Sequence, residues 1–487
     1  MTMPSVSFVS LGCPKNLVDS EKMLGMLAEA GCPIVGGDTG TGDVMIVNTC
    51  GFLAASRDEA VGILREAAEQ KNRGEIKRLV VAGCLVQRDG RGLLEDVPEI
   101  DALVGVHNRA DIVRAVTGVH LSRPGRGATA KTPASTGTTS GRTAAASTGG
   151  RTGSGDLFLG EYHANSWIGA NKSDRARLRL TPVHYAYLRM SEGCNQKCTF
   201  CTIPSIRGPM HSKSVREIMA EARELITDGA VEINLLGQDT TSYGTDIAYE
   251  PGLSGLLRKL NTLEGVEWIR LMYAYPSDFT DDMIEAIADC EKVAKYIDMP
   301  LQHISDRVLK SMHRRVTRKQ TESLLARLRE RIPGVSIRTT FIAGFPGETD
   351  AEHRELREFI REFGFDMLGV FPYSNEPGTP AHRMKGHLPP ALIQERVEDL
   401  MLTQQEVAFK RASARRGERL RVMIDSFGAR GVYLARHEGQ APDVDSVVHV
   451  DGGEYDPGQF VDVKITGSRA YDLLAKPIVK GLPILGH

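Results

Sequence analysis

The sequence predicts an α/β protein in three parts: a doubly wound parallel sheet, a partial (β/α)6 barrel and a small antiparallel β-barrel. Three observations carry this. Short apolar runs alternate with amphipathic helical stretches over residues 1–120 and again over 180–411, the rhythm of parallel strands joined by crossover helices. Over 412–482 the pattern changes to short β runs separated by Asp451-Gly452-Gly453 and Asp456-Pro457-Gly458, which are turn signals. Between the two α/β stretches, residues 121–155 are rich in Gly, Ser, Thr and Ala, with five basic side chains and no acidic one.

In the first part, strands are expected at 6–11, 44–48, 79–82 and 102–104, with helices over 17–30 and 54–70. Residues 121–155 cannot bury enough apolar surface to offset their ordering entropy, so a disordered linker is expected there. Six further strands are expected at 185–190, 232–236, 268–273, 296–299, 336–342 and 367–371, which suits an open parallel barrel. A polar helix over 391–415 leads to strands at 420–424, 431–435, 446–450 and 459–465, a size that suits a small closed barrel.

Composition narrows the function classes. With 41% hydrophobic and 25% charged residues among 487, the chain reads as an ordinary globular protein. No run of about 18 apolar residues occurs and the start lacks a basic-then-apolar stretch, so no membrane partner is expected and the cytoplasm is the expected location. Eight cysteines in so long a chain are too sparse for a disulfide scaffold. The formal net charge of −2 lowers the expectation of a nucleic-acid partner, because phosphate binding is dominated by Lys and Arg. A local basic patch stays compatible with it.

The most informative run is Glu192-Gly193-Cys194-Asn195-Gln196-Lys197-Cys198-Thr199-Phe200-Cys201. Three thiolates on a short loop can hold three irons of a 4Fe-4S cube and leave the fourth open to a small molecule. A zinc site is the alternative, but structural zinc usually takes its cysteines as pairs of pairs. Cys13, Cys50 and Cys84 each follow an expected strand. In open α/β sheets the carboxyl ends of strands share one edge, so the three can converge there; the alternative is three unrelated buried cysteines. Cys32 and Cys290 lack that setting and read as small apolar residues.

The cysteine loop with the following Thr202-Ile203-Pro204-Ser205-Ile206-Arg207-Gly208, together with Gly12-Cys13-Pro14-Lys15-Asn16, Asn48-Thr49-Cys50-Gly51-Phe52 and Gln238-Asp239-Thr240-Thr241, resembles the methylthiotransferases of the radical S-adenosylmethionine superfamily. Within them it is most similar to the RimO type, which acts on ribosomal protein S-twelve. The resemblance implies a TRAM domain at 412–482 and methylthiolation of the β-carbon of an aspartate, with an electron donor and a sulfur donor as further partners. It implies that Cys194, Cys198 and Cys201 hold the cluster that binds S-adenosylmethionine, and that Cys13, Cys50 and Cys84 hold a second 4Fe-4S cluster. Phe200, Gly237, Gln238 and Gly344 are then expected near S-adenosylmethionine, with Gln302 and His303 as further candidates facing the ribose. Thr349 and Glu352 form a capping box that would start a helix in any case. Two other readings stay open: a tRNA adenosine methylthiotransferase of the MiaB type, and an electron-transfer protein with clusters and no turnover. Asp443, Asp445, Asp451, Glu454 and Asp456, with no Lys or Arg between Glu438 and Asp462, read either as a solvated acidic surface or as a face for a basic protein.

Overall fold

A computed structural model describes residues 2–36, 42–118, 156–158 and 173–478. The expected disordered linker, 121–155, lies outside the described residues. The first sheet comprises β1 (Val6–Ser10), β2 (Ile34–Val35), β3 (Val44–Thr49), β4 (Arg78–Gly83), β5 (Ala102–Gly105) and β6 (Asp156–Phe158), in the order β2-β1-β3-β4-β5-β6. Every pairing in it is parallel. β3 is buried along its whole length, as a strand covered on both faces must be. Alternate residues serve opposite cores: Val47 and Val81 pack with Leu64 on one side, Ile46 and Val80 with Leu27 on the other.

Helix α1 (Pro14–Glu29) opens with a proline in its first turn, where no amide bond is lost. α2 (Ala54–Asn72) follows β3, and the short α3 (Cys84–Asp89) follows β4 directly. Two short strands of this sheet escaped the sequence reading. β2 has only two residues, and β6 brings the chain back to the sheet edge beyond position 120.

The second sheet begins with β7 (Tyr185–Arg189). A small antiparallel pair, β8 (Ser191–Glu192) and β9 (His211–Ser212), brackets the cysteine loop. There follow β10 (Glu232–Leu236), β11 (Trp268–Leu271), β12 (Val293–Asp298), β13 (Ser336–Ala343) and β14 (Met367–Pro372). The order β7-β10-β11-β12-β13-β14 is parallel throughout and open, as six βα units predict. Leu188, Ile233, Leu235, Ile269, Ile297 and Ile337 pack outward on the helices, while Tyr185, Tyr187, Leu236, Met272 and Tyr296 form a separate cluster.

The helix Pro390–Ala414 leads into a closed barrel of β15 (Arg419–Phe427), β16 (Val432–His437), β17 (Val448–Asp451), β18 (Phe460–Arg469) and β19 (Asp472–Pro477). The fifth strand was not anticipated, although Leu473 and Ala475 alternate inward as a strand requires.

Asp443, Asp451, Glu454 and Asp456 of the acidic strip are exposed, whereas the Asp445 side chain is buried. Asp443 accepts hydrogen bonds from the hydroxyls of Tyr185 and Tyr187, and Asp445 accepts one from Tyr296. Ala441 packs in the same tyrosine cluster. The segment 438–446 thus enters the central barrel near the amino ends of its strands, because buried tyrosine hydroxyls require acceptors.

Candidate cluster and cofactor site

Cys194, Cys198 and Cys201 lie on one loop after β8, at the carboxyl end of the central sheet. Gly193 makes this path possible: its φ is +77°, and a Cβ there would come within 2.1 Å of the Pro209 carbonyl oxygen. Backbone amides aim at the sulfurs. Gln196 N–H donates to Cys194 Sγ at 3.4 Å and Ile203 N–H to Cys201 Sγ at 3.4 Å. Burial pushes the Cys194 thiol up to about 11 and the Cys201 thiol up to about 12, with the amide bonds opposing it. Such thiols ionise readily only when a cation sits on the sulfur. Arg314 lies over the Tyr275 ring at 4.0 Å, with its guanidinium 3.7 Å from Cys198 Sγ.

Cys13, Cys50 and Cys84 follow β1, β3 and β4 at the carboxyl edge of the first sheet. They converge, as two glycines show. A Cβ on Gly12 would stand 2.8 Å from Cys50 Cβ, and one on Gly51 would stand 2.8 Å from Leu85 N. Burial pushes the Cys84 thiol up to about 12; Arg207 opposes this, and Cys13 and Cys50 add to it. Among the described residues no three His, Cys, Asp or Glu side chains gather around a single metal ion. The cysteines of a cubane each bind a different iron, and an all-thiolate set of three suits that chemistry.

The two triads face one domain boundary. Cys84 packs with Val106 and with Ile206 of the helix Ile203–Arg207. Lys15, two residues past Cys13, donates to the Ser191 carbonyl at 2.9 Å and also contacts Gln238. Gln238 Nε2 donates to Glu192 at 2.7 Å. The sequence reading did not single out Lys15, Glu192 or Arg207 as site residues; all three stand in the quoted motifs, but nothing in the sequence showed which partners they meet.

The other expected cofactor residues divide. Gly237 is needed to bring β10 to the loop, since a Cβ there would stand 2.8 Å from Ser191 Oγ. Phe200 packs half-buried against a cluster with Ile342, Phe345 and Tyr373. Gly344 is backed by Ile393: a Cβ there would meet Ile393 Cγ1 at 2.5 Å, and its N–H donates to Glu348 at 2.8 Å. His303 is fully buried, with Nδ1 accepting from Ser305 N–H, so it lies beneath the barrel rim and not along it. The capping box of Thr349 and Glu352 forms as expected. A cleft of 730 Å³ borders the loop at Asn195, Gln196, Lys197 and Arg314. A larger one of 1160 Å³ lies where the C-terminal barrel meets β14, lined by none of the six cysteines. No cysteine lines the smaller cleft either, but Asn195, Gln196 and Lys197 in its wall lie between Cys194 and Cys198, so it is the nearer of the two to the loop.

Comparison with known proteins agrees with this layout. Family models match as the radical SAM superfamily over residues 188–360, the uncharacterised protein family UPF0004 over 5–105 and the TRAM domain over 417–478. The ribosomal protein uS12 methylthiotransferase RimO of Trichlorobacter lovleyi is 40% identical over 97% of this chain and 98% of its own length. That of Desulforamulus reducens is 38% identical over 97% of this chain and 99% of its own. The chain belongs to the RimO methylthiotransferase family. It is therefore a radical SAM enzyme, and the cofactors of that chemistry are S-adenosylmethionine and 4Fe-4S clusters. The tRNA and electron-carrier readings are not favoured. Among solved structures, the radical S-adenosylmethionine methyltransferase TsrM from Kitasatospora setae has a similar fold, with a TM-score of 0.55 at 15% identity over 82% of this chain and 89% of that one.

Proposed function

We propose that this chain methylthiolates the β-carbon of an aspartate in ribosomal protein S-twelve, and that its two cysteine triads hold the two clusters the reaction uses. The observation that carries this is the meeting of the two triads at one domain boundary, with Lys15 reaching Gln238 and Glu192. In this reading Cys194, Cys198 and Cys201 ligate the cluster that binds S-adenosylmethionine, and Cys13, Cys50 and Cys84 ligate the cluster that carries sulfur. The clusters and S-adenosylmethionine supply radical C–H activation, sulfur insertion and methyl transfer when bound. The protein contributes placement. Gly237 and Gln238 bring the end of β10 to the loop, Phe200 offers a half-buried aromatic beside it, and the buried boundary keeps water from the path between the triads. Gly344 is assigned to backbone packing.

The reaction needs an electron donor and a sulfur donor, and the cytoplasm provides both a reducing milieu for six thiolates and the ribosomal protein. Among the described residues no helix is long and apolar enough to cross a membrane. The division we adopt is an N-terminal domain over 1–120 completed by β6, a radical SAM core over 180–411 and a TRAM domain over 412–482.

Mass spectrometry of S-twelve and bulk tRNA, from cells with and without the gene, tests the substrate. The expected result is a gain of about 46 Da on one aspartate of S-twelve, the mass of SCH3 replacing H at the carbon beside the cofactor. Unmodified S-twelve with methylthiolated adenosine in tRNA would overturn it. Replacing either triad by Ala should remove about half the iron, since each cluster depends on its own thiolates.

A further inference from the structure

Arg207 ends the helix Ile203–Arg207, six positions after Cys201, yet its guanidinium reaches into the N-terminal domain. Its side chain is 2% exposed. Nη2 donates to Cys84 Sγ at 3.1 Å and lies 3.0 Å from Asp19 Oδ2, while Nη1 donates to Glu192 Oε2 at 3.0 Å. Glu192 stands two residues before Cys194 and also accepts from Gln238. One planar group therefore touches a ligand of one triad and the strand that launches the other.

The charge balance points the same way. In the buried network around Asp19 and Asp174, five cations, Arg207 among them, face four carboxylates. Arg207 is the member whose hydrogen bond goes beyond those carboxylates to a sulfur. An ion pair needed only for packing has no use for that contact.

We infer that Arg207 is a positioning residue for the metal group on Cys13, Cys50 and Cys84: it donates to the Cys84 sulfur, raises that group's reduction potential, and fixes its place against the Cys194–Cys201 loop through Glu192. This rests on the proposed assignment of the second cluster. A hydrogen bond and a positive charge at a cluster sulfur stabilise the reduced form, so their removal shifts the potential downward.

The test uses the full chain with Cys194, Cys198 and Cys201 replaced by Ala, which isolates the second cluster. Its midpoint potential is read by an EPR-monitored redox titration, with iron content measured alongside. Arg207→Gln should shift the potential to a more negative value with iron retained, and Arg207→Lys, which keeps the charge but not the fork, should shift it less. A Gln variant holding full iron at the parent potential overturns the inference. If the Gln variant does not fold, the Lys variant decides: a potential below the parent supports the inference and an unchanged one overturns it. Iron that persists after Cys13, Cys50 and Cys84 are also replaced would instead sink the cluster assignment, and with it this inference.

Discussion

Asp445 accepts a hydrogen bond from the Tyr296 hydroxyl at 3.0 Å, and its other oxygen lies 3.3 Å from Arg338 Nε. This ties the C-terminal barrel to the interior of the central one. Arg338 keeps a second partner, Asp298, at 2.9 Å, so the loss of Asp445 does not strand a bare buried cation. We expect Asp445→Ala to cost about 1–3 kcal/mol, less than the loss of a sole partner. Limited proteolysis should show faster cleavage between the helix Pro390–Ala414 and β15. A double-mutant cycle with Tyr296→Phe should return a coupling of roughly 1 kcal/mol; no coupling would mean the loop is held by its apolar contacts alone.

Gly344 separates packing from cofactor binding. Its φ is +80° and Ile393 occupies the space a Cβ would need. Gly344→Ala should destabilise the core by about 1–3 kcal/mol through strain and overpacking. Combined with Ile393→Ala, which removes both γ carbons, the two losses in thermal midpoint should be less than additive. The affinity for S-adenosylmethionine, measured by calorimetry on the reconstituted double variant, should stay within a factor of about three. A tenfold loss would restore Gly344 to the cofactor site.

The main strands of both parallel sheets were legible because buried parallel strands are written as largely apolar runs, as in β3 and β4. Their carboxyl ends then located all six cysteines. β6 was missed because three residues after a low-complexity segment carry no periodic signal. The acidic strip was legible in part. Charge composition marks Asp443 and Asp445 alike as solvated, and Asp443 is exposed, but only the fold shows that Tyr185, Tyr187 and Tyr296 use the two carboxylates as acceptors and that the Asp445 side chain is buried. Arg207 was unreadable in the same way, since its partners Asn16, Asp19 and Cys84 lie more than 120 residues away along the chain.

His303 gives the core a pH dependence of known sign. Burial holds its imidazole down to about 3, well below the ordinary 6.5. Between those values the unfolded chain binds a proton that the folded core excludes. Stability from this group is fully present above 6.5 and is lost as the pH falls towards 3, at up to about 1.4 kcal/mol per pH unit. Comparing urea midpoints for the parent and His303→Asn from pH 7 to pH 5 should show a shallower decline in the variant. Parallel curves would mean that His303 is protonated in the folded state.

Glu376 supplies a helix cap from another domain. It lies in the segment after β14, and its carboxylate accepts from Ala54 N–H at 2.9 Å, Arg57 at 2.6 Å and Arg88 at 2.7 Å. Leu53, at the start of α2, offers no side-chain acceptor, so the positive end of that helix depends on Glu376. Arg88 in turn donates to the Gly51 carbonyl at 2.9 Å, which links the cap to the loop of Cys50. Glu376→Ala should weaken docking of the N-terminal domain by about 2–4 kcal/mol, because two partly buried guanidinium groups lose their shared partner. Hydrogen exchange should speed up in the first turn of α2 and in α3 while the helices packed on β11 and β12 stay protected. Iron bound by Cys13, Cys50 and Cys84 should become easier to chelate, with that at Cys194, Cys198 and Cys201 unchanged; equal chelation rates at both triads would show that Glu376 does not hold the Cys50 loop.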